Sequence, residues 1–102
     1  MKHLGAGPHG ELEEVLENIW FVKGGLKMPF PLPMWITRGM TVIRDASDGS
    51  FTVVNSMRLS EEGHERLDAL GKVARVIRLG GFHGRDDGYY RERYGAKIFA
   101  VK

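Results

Sequence analysis

The stretch that most limits the fold of this chain runs from Val73 to Gly95. A β-branched segment, Val73-Ala74-Arg75-Val76-Ile77-Arg78-Leu79, ends in the glycine-rich turn Gly80-Gly81-Phe82-His83-Gly84, and a short helical pattern follows from Asp87 to Tyr94. A strand running through a glycine turn into a helix is the repeating unit of α/β sheets, and the carboxyl end of such a strand is where these sheets take their ligands. Upstream, Ser60 opens another helical pattern. Glu61 and Glu62 complement the positive end of its dipole, Leu59, Leu67 and Leu70 form an apolar stripe, and Gly71 stands at the expected C′ position. With Gly95 ending the second helix and Ala96 to Val101 forming a last strand, the chain closes with two crossover units.

The first half reads as β structure. Val15 to Val22 ends in a strongly β-prone run that Gly24-Gly25 is expected to stop. Met28 to Pro33, with prolines alternating, suits an extended surface connection because proline cannot donate a ladder hydrogen bond. Met40 to Arg44 and Phe51 to Asn55 flank a Ser47-Asp48-Gly49-Ser50 turn and predict a hairpin. The order β-β-β-α-β-α-β predicts an α/β fold, a mixed sheet with helices on at least one face. Residues 1 to 10, rich in Gly, His and Pro, read as a flexible tail with His3 and His9 in solvent, and residues 11 to 102 as one domain. No helix or polar segment follows the last strand before Lys102, so the chain is expected to be a half-domain or fragment.

Lys and Arg exceed Asp and Glu by only two (15 against 13) and are interspersed with them, so no nucleic-acid partner is expected. The absence of cysteine removes disulfides and thiolate ligands, and a cytoplasmic location is expected. Met1 to Glu14 lacks the apolar core of a secretory leader, and no run approaches the ~20 apolar residues of a membrane span.

The chemistry-bearing residues gather after Leu79. His83, Asp86 and Asp87 form the one compact set of potential metal ligands in the sequence, and Phe82, Tyr89, Tyr90 and Tyr94 surround them with rings. Asp86 and Asp87 also sit where a helix begins, so one of them is equally an N-cap. Arg85 either pairs with Asp86 or faces an anionic substrate. Tyr90 either lines the substrate site or shares with Tyr94, at i,i+4, the helix face that packs on the sheet. His64, among Glu61, Glu62, Glu65 and Arg66, is expected in solvent. Ser47, Ser50, Ser56 and Ser60 lack the Gly-x-Ser-x-Gly setting of a nucleophile, and the glycine turn lacks the lysine of a P-loop.

Taken with the strand order, the His83 loop after the fourth predicted strand resembles the N-terminal half of the metallo-β-lactamase-like hydrolase superfamily, over about residues 15 to 101. Against the motif His-x-His-x-Asp-His, His83 takes the first position and Asp87 the aspartate, whereas Arg85 replaces the second histidine and Gly88 the last. The resemblance implies half of an αββα sandwich, a hydrolase ancestry with zinc or another divalent metal at His83, Asp86 and Asp87, a catalytic role for Asp87, and substrate contacts from Arg85 and Tyr90. Because two ligands of four remain and a guanidinium cannot ligate a cation, metal binding is expected to be weak and this chain alone inactive. The alternative expectation is a non-enzymatic α/β module that self-associates, or meets a second half-domain, through its uncovered last strand.

Overall fold

The computed structural model of the chain describes residues 6–28, 34–79 and 84–101. Its order is β1 (Glu13–Leu16), β2 (Ile19–Met28), β3 (Met34–Arg44), β4 (Ser50–Val54), α1 (Glu61–Leu70), β5 (Lys72–Leu79), α2 (Asp87–Tyr94) and β6 (Lys97–Val101). All six strands form one sheet in chain order, antiparallel from β1 to β4 and parallel from β4 to β6. The mixed α/β sheet is the one the sequence predicts, and the two parallel joins are its two crossover units.

Two differences lie in the first half. Glu17-Asn18, with Asn18 at φ 65, turns the chain between β1 and β2, so the single strand expected there is a hairpin. Asparagine tolerates that left-handed conformation better than most residues. Gly24-Gly25 does not end β2, which pairs with β3 residue for residue as far as Met28↔Met34. Gly24 leaves space for Met57, whose Sδ occupies the place a Cβ would take. The proline-rich connection lies partly in residues 29–33, outside the described residues.

Alternation along the strands puts Trp20 and Val22, Met40 and Val42, Phe51 and Val53, and Val73 and Val76 on the helix side of the sheet, all buried. Leu67 of α1, Tyr90 of α2, and Met57 and Leu59 from the β4–α1 connection complete this core. Each such side chain contributes about 1.5–3 kcal/mol by leaving water. Trp20 meets Phe51 edge to face, with centroids 5.6 Å apart. On the opposite face, Phe21, Thr41, Val54, Ile77 and Phe99 stand in register across five strands.

The helix caps explain why α1 begins where it does. Ser60 Oγ accepts the Gly63 N–H at 3.1 Å, while its own N–H donates to His9 Nε2 at 2.8 Å. His9 is therefore half-buried and fastened to α1, where its Gly/Pro surroundings predicted an exposed residue. Pro8 O accepts from Gly25 N and Gly10 N donates to Lys23 O, so residues 8 to 10 lie along β2. Residues 1–5, including His3, lie outside the described residues. Gly95, at φ 67, closes α2 in the left-handed conformation and donates to Arg91 O at 2.9 Å. Among the described residues no helix is long and apolar enough to cross a membrane.

Candidate functional site

The sheet brings three segments together at the carboxyl ends of β4 and β5. Asn55, at φ 58, turns the chain out of β4; its Oδ1 accepts the Leu79 N–H at 2.8 Å and its own N–H donates to Ile77 O. That turn sets Ser56, Met57 and Arg58 beside the start of α2, and Arg38, on the inward side of β3 with Met40 and Val42, reaches the same place.

Asp86, 2% exposed, lies at the centre. Its Oδ2 accepts from Arg58 N at 2.8 Å and Arg38 Nη1 at 3.2 Å, and Arg85 Nη1 donates to Oδ1 at 2.9 Å and to Oδ2 at 3.1 Å. Asp86 occupies the N-cap position of α2, yet its side chain makes no capping bond there. The arginines outcompete the helix N–H groups because a guanidinium supplies several charge-assisted donors.

Asp87 is also buried. Ser56 Oγ donates to its Oδ1 at 2.6 Å, and Arg78 Nη1 stands 3.9 Å from its Oδ2. That Oδ2 and the Nε and Nη2 of Arg38 are buried polar atoms without a hydrogen-bond partner among the described residues. Such atoms are costly to leave open, so they mark the unfinished part of the cluster.

Tyr90 lies one helical turn beneath. It is fully buried among core side chains, and its hydroxyl donates to Met57 O at 2.7 Å, with Met40 Sδ at 3.2 Å. Burial pushes the phenol well above its ordinary pKa. Arg58 lies over Tyr89, its guanidinium carbon 4.1 Å from the ring centroid.

His64 departs from expectation, for it is fully buried. Its Nε2 accepts the Leu59 N–H at 3.0 Å, which leaves the proton on Nδ1, 3.0 Å from the Tyr94 hydroxyl. Tyr89, Tyr90 and Tyr94 surround it at centroid distances of 5.1–5.9 Å. Burial, reinforced by the nearby Arg93 charge, pulls its pKa down to about 4. The charged sequence around His64 hides the one inward position of that helical turn.

Structure thus joins Asp86, Asp87 and Arg85, seats Tyr90 in the core below them, and adds Arg38, Ser56 and Arg78, which sequence reading missed. The legible signal for Arg38 was its parity with Met40 and Val42, an arginine on an inward stripe. His83 lies outside the described residues. Among the described residues no group of three or more His, Cys, Asp or Glu is placed to hold a metal.

No family model matches the chain, and no curated protein matches it. Solved structures do. The DIM-1 metallo-β-lactamase exposed to ceftazidime superposes with a TM-score of 0.65 at 13% identity, over 97% of this chain and 45% of that one. This chain has a metallo-β-lactamase-like fold. A second metallo-β-lactamase, the NDM_FIM-1-like protein from Erythrobacter litoralis in its mono-zinc form, superposes with a TM-score of 0.59 at 11% identity, over 96% of this chain and 46% of that one. The chain spans less than half the length of these metallo-β-lactamases.

The metal that this fold suggests finds a poor donor set among the described residues. Both oxygens of Asp86 are engaged by arginine and backbone donors, and Asp87 keeps one open oxygen, Oδ2. A hydrolytic zinc uses about three protein ligands, and guanidinium groups nearby raise the cost of seating a dication.

Proposed function

We propose that this chain is a metallo-β-lactamase-like half-domain that does not hydrolyse substrates by itself, its metal-type loop rebuilt to hold carboxylates with arginine. The observation that supports this most directly is the seating of Asp86 between Arg38, Arg85 and the Arg58 amide. In this reading a divalent ion has at most Asp87 Oδ2 and His83 as protein ligands from the expected set, so binding is weak and no activated water is held. Zinc calorimetry is expected to show weak uptake lost in His83→Ala and Asp87→Ala. Assays on β-lactam, thioester and phosphodiester substrates with zinc or manganese are expected to be silent. Metal-dependent turnover that disappears in Asp87→Ala overturns the proposal.

A second reading, self-association through β6, is favoured by that strand's place at the margin of the sheet, hydrogen-bonded to β5 alone among the described strands, with Phe99 49% exposed. An open strand edge templates another strand. Light scattering is expected to show mass rising with concentration, and a strictly monomeric species at high concentration removes this reading.

A further inference from the structure

We infer that the carboxyl-end cluster is a binding site for an oxyanion, a carboxylate or phosphate group held on the open edge of Arg38. This rests on the reading above, that arginine has replaced metal chelation at this end of the sheet.

Arg38 is bound by one corner only. Its Nη1 donates to Asp86 Oδ2, while Nε and Nη2 are buried and unpartnered among the described residues. Those two nitrogens are not an arbitrary pair. In a guanidinium, Nε–H and one Nη2–H point the same way and form the side-on fork that matches two oxygens of a single carboxylate or phosphate. The Asp86 contact therefore holds Arg38 in place and leaves its bidentate edge unused. Leaving a buried cation in that condition is unfavourable, and an oxyanion on the fork satisfies both donors at once.

The charge balance has the same sign. Arg38, Arg78 and Arg85 contact the two carboxylates of Asp86 and Asp87, an excess of one positive charge (three against two). Arg78, whose side chain is 37% exposed, stands on the solvent side beside Asp87 Oδ2 and offsets the repulsion that this oxygen exerts on an incoming anion. The location adds to the case, because open α/β sheets take ligands beyond the carboxyl ends of their parallel strands. Both unpartnered nitrogens lie below the surface. Once bound, the anion is shielded from water, where each charge-assisted bond is stronger.

The test is a titration of the whole chain with inorganic phosphate, and separately with acetate, at constant ionic strength, following the Nε–Hε resonance of Arg38 in the parent and, in the parent and the variants alike, the backbone amide resonance of Arg58, which bonds Asp86. A saturable shift with either anion is expected, and which of the two binds more tightly assigns the ligand as phosphate or carboxylate. Arg38→Gln is expected to weaken binding about tenfold or more, the loss of at least one charge-assisted bond. Arg38→Lys keeps the charge facing Asp86 but has no fork, and is expected to weaken binding similarly. Arg66→Gln, on the exposed side of α1, should bind as the parent does. Should Arg38→Gln fail to fold, the parent resonance and Arg38→Lys decide. No saturable shift with either anion, or equal binding by a folded Arg38→Lys, overturns the inference. Tight zinc binding with turnover would overturn the reading beneath it; absence of both zinc and oxyanion binding overturns this inference alone.

Discussion

Two buried polar clusters lie on the same side of the sheet, and they are finished to different degrees. Around His64 every polar atom is used: Nε2 takes the Leu59 N–H and Nδ1 meets Tyr94. Arg93 then joins the helices, its Nη1 bonding Glu61 and Tyr89 and its Nη2 bonding Asp68. Around Asp86 and Asp87, three buried atoms have no hydrogen-bond partner among the described residues. A closed network fixes the packing of α1 against α2 and has nothing left to offer a ligand. An open one at a strand end carries its cost because something else completes it.

The sharpest way to break this contrast is Asp86→Ala. It leaves Arg38 and Arg85 charged and without their carboxylate, and is expected to destabilise the fold by about 3–5 kcal/mol in urea unfolding, the cost of breaking a buried pair from one side. A loss within the range of an exposed ion pair, below about 1 kcal/mol, would show that the cluster is open to water and not a buried site.

The His64 cluster is expected to answer to acid. Its imidazole is held neutral down to about 4, against an ordinary 6.5, so between these values the unfolded chain binds a proton that the folded chain does not. Its full contribution to stability is present above about pH 6.5, falls as pH drops, and is lost by about pH 4, a change of up to about 3 kcal/mol. Unfolding free energies measured across this window should slope accordingly in the parent chain and flatten in His64→Gln. An unchanged slope in that variant would assign the acid sensitivity to other groups.

Tyr90→Phe tests the floor shared by both clusters. It leaves the Met57 carbonyl without its donor, and a loss of about 1–2 kcal/mol is expected from thermal unfolding. Oxyanion binding should survive it. If Tyr90→Phe abolished anion binding while the fold persisted, the substrate-facing role that the sequence offered for Tyr90 would be revived.

Much of the fold was legible along the chain. Local patterns carry the hairpin around Asp48-Gly49, the capping of α1 by Ser60 and the two crossover units, because turn chemistry, helix periodicity and β-branched runs act over a few residues. The turn at Glu17-Asn18 was harder to see, since one asparagine in the left-handed conformation carries it. Gly24-Gly25 misled for the opposite reason: those residues serve a packing need set by Met57, 33 positions away from Gly24, and do not stop the strand.

The candidate site divides the same way. The sequence by itself determined that Arg85, Asp86 and Asp87 follow a strand and open a helix, and that an arginine occupies a position where a metal motif wants histidine. Only the tertiary structure decided what the carboxylates do. Arg38 comes from 48 residues before Asp86, and Ser56 from 31 before Asp87. No local pattern encodes such pairings, because they follow from strand register and from which face of the sheet each side chain takes. The same is true of His64, whose neighbours in sequence are charged while its neighbours in space are three tyrosines. Burial is a property of the assembled sheet and helices, and it, more than residue type, sets whether a histidine or a carboxylate is a solvated charge, a structural bond or a ligand-binding group.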